Sequence, residues 1–173
     1  MDLLALLDIY PLSWSGIAAA ILSGSIIGLE RQLRGKPVGI RTSSLIVLGT
    51  YVFITLAMAV NNAVADPSRI IGQIVTGIGF LGAGVMLARD GVVVGVTSAA
   101  AIWMLAAIGI TIPIAGEWVA IKISFVVVGI LYGVDLLEES FTSLTRGVHV
   151  KYSNWRVKKF ERQQAKANNG NSK

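Results

Sequence analysis

Apolar residues fill long stretches of the chain, residues 9–29, 42–65, 70–88, 91–116 and 118–134, and polar residues collect in the short segments between them. Each stretch is close to the ~20 residues that an α-helix needs to cross ~30 Å of hydrocarbon. Only the last one holds a charge, Lys122, near its start, where a long side chain can reach the interface. None of them alternates polar and apolar positions as a membrane β-strand does. The pattern predicts an all-α membrane protein: a bundle of about five transmembrane helices over residues 11–29, 41–61, 67–88, 91–112 and 114–137, in a domain spanning 1–137.

The polar segments set an orientation. Arg31, Arg34, Lys36, Arg41, Arg89 and eight basic residues between Arg146 and Lys173 fall on one side of such a bundle; Arg69 and Lys122 fall on the other. Lys and Arg are retained on the cytoplasmic side. The expected topology is therefore N-out, C-in, with residues 138–173 forming a short basic cytoplasmic tail, helical at first and then disordered. The N-terminus has no basic region and no small-residue cleavage site, so no signal peptide is read there. Mean hydropathy of +0.69 lies outside the soluble range, and a pI near 9.7 then points to anionic lipid at the tail rather than to nucleic acid. Cysteine is absent and the single histidine, His149, sits in the tail. No nucleophile–base spacing is present either, so no enzyme is expected.

Glycine marks helix contacts. Ala20, Gly24 and Gly28 recur every four residues, as do Gly91, Gly95 and Ala99, and Gly129 and Gly133. Small residues at this spacing let helices approach closely in lipid, within one chain or between two copies. Gly77, Gly79 and Gly82 satisfy a dinucleotide-binding pattern, but inside an uncharged span with no strand before it that reading fails. With Gly84 they predict either a tight helix crossing or local unwinding. Asp66-Pro-Ser-Arg69 reads as a helix start, with Asp66 as cap and Arg69 three residues on as its ion partner.

Taken together, Gly28-Leu-Glu-Arg31, Arg34-Gly-Lys-Pro-Val-Gly-Ile-Arg-Thr42, Asp66-Pro-Ser-Arg69, Gly77-Ile-Gly-Phe-Leu-Gly-Ala-Gly84 and Gly95-Val-Thr-Ser-Ala-Ala-Ala-Ile-Trp103 resemble the MgtC/SapB family of bacterial inner-membrane proteins. The resemblance runs over about residues 21–110. It implies a transmembrane domain of about five helices in the bacterial inner membrane and a link to magnesium, by transport or by regulation of other membrane machinery. Where the family usually reads Gly-Leu-Thr-Thr-Ala-Ala, this chain has Gly95-Val-Thr-Ser-Ala-Ala100, which keeps both hydroxyls. Some members carry a soluble C-terminal domain, which is not expected here, so functions that depend on that domain are not carried over.

Four of these motifs converge on the cytoplasmic half in the expected topology. They define a candidate polar pocket of Glu30, Arg31, Arg41, Thr42, Thr97 and Ser98, with Glu30 and Arg41 expected close together. Asp66 and Arg69 stand alone on the outer side. Mg²⁺ takes oxygen ligands and is commonly held by one or two carboxylates with several waters retained. Glu30 and Asp66 are thus the candidate metal ligands, with Mg²⁺ as substrate or ligand and no resident cofactor. Against this, the arginines around Glu30 would suit an anion. The expected partners are the lipid bilayer and a second copy or another membrane protein.

Overall fold

The computed structural model describes residues 7–60, 67–89 and 92–140. It contains five helices: α1 (Trp14–Leu33), α2 (Ile40–Ala59), α3 (Pro67–Val85), α4 (Val96–Ala115) and α5 (Glu117–Ser140). A two-stranded antiparallel hairpin, β1 (Leu87–Arg89) and β2 (Val92–Val94), joins α3 to α4. Among the described residues, three helices are long and apolar enough to cross a membrane: Ile40–Ala59, Ser68–Val85 and Val96–Ala115. α1 falls short because Glu30 and Arg31 lie within its last turns. The chain divides into two compact units, Met1–Ile130 and Leu131–Lys173, and the described part of the second is helical.

α1 starts where Ser13 caps it, its Oγ accepting from the Gly16 N–H at 3.0 Å. Gly35 at φ +62° turns the chain away from the helix end, and α2 returns antiparallel against α1. Their contact is backbone to backbone. A Cβ placed on Gly24 would lie 2.5 Å from Ser44 Cα, and one on Gly28 would lie 2.6 Å from Ile40 Cα. The Ser25 and Ser44 hydroxyls meet across the same crossing at 3.1 Å. On its other side α2 meets α4, where a Cβ on Gly109 would fall 2.6 Å from the Val47 carbonyl oxygen. α2 is thus held between α1 and α4, and the fully buried Ile27, Val47, Ile54, Leu105 and Ile108 fill the space among them. α3 packs chiefly on α4.

Two expectations are corrected. The third helix stops at Val85 rather than residue 88, and the fourth begins at Val96 rather than residue 91, because the intervening residues pair as a hairpin with Leu87 opposite Val94. Gly95 is therefore no part of a helical stripe. It caps α4 at φ +91°, with its backbone pressed on the Val85 carbonyl oxygen, where only glycine fits. The second correction concerns the glycines of α3. Among the described residues, a Cβ at Gly77, Gly79 or Gly84 meets nothing within 4 Å, and one at Gly82 makes only ordinary contact with Ala99 at 3.7 Å. The tight crossings lie at Gly24, Gly28 and Gly109 instead. Asp66, the turn at residues 90–91 and the tail from residue 141 onward lie outside the described residues.

Candidate functional site

The last turn of α1 carries two charges into the bundle. Glu30 is 8% exposed and Arg31 3%, so both are desolvated and need partners. Arg34, one turn on, places Nε 2.9 Å from Glu30 Oε1. Arg31 Nη1 lies 3.9 Å from Oε2, and its Nη2 donates to Ser98 Oγ at 2.8 Å. Ser98 is buried in the first turn of α4, so this bond ties α1 to α4. Arg34 Nε is close enough to Glu30 for Coulombic attraction but off the line a hydrogen bond requires. Both carboxylate oxygens therefore have an ion partner and no hydrogen-bond donor among the described residues.

The loop beneath the cluster is tightly specified. The Arg34 N–H bonds the Glu30 carbonyl and the Lys36 N–H bonds that of Arg31, at 3.2 and 2.9 Å. Val38 is held at φ +69°, a left-handed conformation that costs a β-branched residue roughly 1–3 kcal/mol. The fully buried Ser43 hydroxyl donates to the Val38 carbonyl at 3.1 Å, holding that strained residue in place.

Of the six residues expected to form the pocket, the structure brings Glu30, Arg31 and Ser98 together. Arg41, Thr42 and Thr97 are exposed instead. Arg41 makes no ion pair with Glu30, whose partners are Arg34 and Arg31. The reason is geometric: Arg34 follows Glu30 by four residues on the same helical face, whereas Arg41 is an exposed residue in the first turn of α2. That i,i+4 spacing was the available signal for Arg34. Arg69 is exposed in the first turn of α3, so with Asp66 outside the described residues the expected outer pair has one visible member. Among the described residues no group of three or more His, Cys, Asp or Glu side chains could hold a metal ion.

The arrangement carries one negative and two positive charges in a desolvated place. Its oxygens are already matched by guanidinium groups, so chemically it is a fastener between helices with a net positive field.

The comparisons with known proteins fit this helical frame. The sequence model of the MgtC family matches residues 17–140. The chain is 47% identical over 103 residues to the protein named "Putative magnesium transporter YhiD" of Escherichia coli strain K12, an alignment covering 56% of this chain and 47% of that protein. It is 42% identical over 106 residues to an uncharacterised protein of Haemophilus influenzae, covering 56% and 44%. It is 45% identical over 94 residues to "Protein MgtC" of Salmonella typhimurium strain 14028s, covering 54% and 40%. The chain thus spans somewhat less than half the length of the curated relatives it matches. No solved structure matches it. With the family model covering most of the chain, the protein belongs to the MgtC family.

Proposed function

We propose that this is a bacterial inner-membrane protein of magnesium homeostasis that acts by helix contact on other membrane machinery rather than by conducting Mg²⁺. The magnesium link rests on the name carried by the Escherichia coli relative. The Lys/Arg asymmetry supports an N-out, C-in orientation, with α1 and α5 spanning beside the three helices that are clearly apolar enough.

The observation that carries the choice against a conduit is the pairing of Glu30. The one buried carboxylate among the described residues is matched by Arg34 at 2.9 Å and Arg31 at 3.9 Å. A dication about 6 Å from a net single positive charge is repelled by about 5.5 kcal/mol at an effective dielectric constant of about 20. Reaching Glu30 would mean displacing a guanidinium and leaving it desolvated. A conduit for Mg²⁺ needs the opposite arrangement, acceptor oxygens not already claimed by cations.

Purified protein in liposomes loaded with a magnesium-sensitive dye tests the reading. The expected result is no saturable Mg²⁺ entry above that of protein-free vesicles. Saturable entry that Glu30→Gln abolishes would overturn it.

A further inference from the structure

α3 uses one side of its surface against the rest of the chain. Ile74 and Ile78 on that side are half-buried, and the buried Gly82 lies against Ala99 of α4. The opposite side is exposed, and its residues are regularly spaced. Gln73, Thr76, Phe80 and Ala83 follow one another at steps of three, four and three residues. That is the seam spacing of two helices coiled left-handed about each other. The positions flanking this seam are all glycine, at 72, 77, 79 and 84, and a Cβ on any of them meets nothing within 4 Å among the described residues. We propose that a second copy of this chain covers the face, α3 lying parallel to α3, with the two Gln73 amides hydrogen-bonded to each other. The inference goes beyond the reading above, since such a dimer forms whether or not other machinery is contacted.

Gln73 carries the choice of occupant. It lies five residues into the span Ser68–Val85, about 8 Å along the helix axis, which places it in the hydrocarbon. Its side chain is exposed and makes no hydrogen bond among the described residues. Thr76, by contrast, donates its hydroxyl to the Gly72 carbonyl at 2.9 Å and needs no outside partner. Gln73 also borders a groove of about 720 Å³ between α2 and α3, lined by Phe53, Leu56, Ile70 and Ile74 among others. The hydroxyl of Thr50 in that groove is committed to the Ile46 carbonyl at 2.8 Å. A lipid tail on this face would therefore leave a primary amide bare in an apolar medium, which is costly.

The amide is complementary to itself, because it has donors and an acceptor on one group. Copies inserted by the same Lys/Arg asymmetry share one orientation. A two-fold axis along the membrane normal then sets α3 parallel to its copy and brings each seam residue against the same residue of the other chain. The layers are Gln73, Thr76, Phe80 and Ala83, each facing itself. A polar amide at one seam position fixes the register of such a pair. A partner of different sequence would need its own amide or hydroxyl at this depth; a second copy has one by symmetry. The flanking glycines let the two backbones approach. They ask only for small side chains, so alanine serves as glycine does and leucine does not.

The test uses the full chain in phosphatidylcholine–phosphatidylglycerol liposomes. Copies labelled at a cysteine appended after Lys173 report self-association by energy transfer as lipid is added. The expected result is a reversible dimer, weakened at least about fivefold by Gln73→Leu and by Gly77→Leu and less by Gln73→Asn, which keeps an amide. Because the chain has no cysteine, single substitutions report proximity cleanly. Oxidation should link Thr76→Cys and Ala83→Cys into dimers. Phe125→Cys, exposed at a similar depth on α5, should link no faster than random collision allows. Energy transfer no greater than random at every lipid dilution, as when lipid alone covers the face, overturns the proposal. So does unchanged association in Gln73→Leu, or linking of Phe125→Cys as fast as Thr76→Cys. If Gln73→Leu does not fold, the cysteine comparison decides alone, since those variants keep Gln73. Magnesium flux bears only on the earlier reading, so the two can fail separately.

Discussion

Adding one methyl group at each of two glycines, Gly24 and Gly79, should move stability in opposite directions. At Gly24 a Cβ would sit 2.5 Å from Ser44 Cα and 2.7 Å from Ser44 N. Carbon contacts are comfortable near 3.5–4.0 Å, so α1 and α2 would have to separate by about 1 Å. The opposing atoms are backbone, and no rotamer change can relieve them. Overpacking of this kind costs about 1–3 kcal/mol, and the upper end applies where backbone must move. The better helix propensity of alanine returns up to ~1 kcal/mol, leaving Gly24→Ala about 2 kcal/mol less stable. At Gly79 a Cβ meets nothing within 4 Å, so only the propensity gain remains. Thermal unfolding in detergent, followed by size-exclusion retention, measures both. With about 2–4 °C per kcal/mol for a chain of this size, Gly24→Ala should melt about 4–8 °C lower and Gly79→Ala at or slightly above wild type. Equal losses in the two variants would refute the placement of the tight crossing between α1 and α2.

Other perturbations test the loop and the cluster. Val38→Gly relieves a β-branched residue held at φ +69° and should raise stability by about 1 kcal/mol; a lower melting temperature would show that the strain is absent. Gly95→Ala puts a methyl group against the Val85 carbonyl oxygen at φ +91° and should cost about 2 kcal/mol or more, detected as lower folded yield; normal yield would remove the need for glycine there. In double-mutant cycles, Glu30→Gln with Arg34→Gln should show a coupling of about 1–3 kcal/mol, while Glu30→Gln with Arg41→Gln should be additive within about 0.5 kcal/mol. Measurable coupling to Arg41 and none to Arg34 would reverse the assignment of the ion pair.

The helices were legible because their signal is local. Uncharged runs near the bilayer thickness need no knowledge of neighbours, and they give five helices in the right order. The hairpin was hidden by the same signal. Leu87 and Val92–Val94 are apolar and extend the flanking runs, and strands of three residues are too short to show a period of two. Glycine spacing was ambiguous for another reason. Closely spaced small residues say that a helix can be approached closely, and α1 and α3 both carry them. Which stripe meets a neighbour within the chain is decided by the order of the helices, with α2 lodged between α1 and α4. Hence Gly24 and Gly28 face backbone while Gly77 and Gly79 face open space.

The candidate site shows why residue type alone misleads about chemistry. In sequence, Glu30 is a carboxylate beside a membrane span, which suggests a cation ligand. Glu30 is buried against Arg31 and Arg34, so its charge is spent inside the protein and a second cation gains little there. A carboxylate near a membrane is thus a ligand or a fastener according to whether a guanidinium has reached it first. The i,i+4 spacing of Glu30 and Arg34 made that outcome readable, since a pair one helical turn apart forms whatever the tertiary fold.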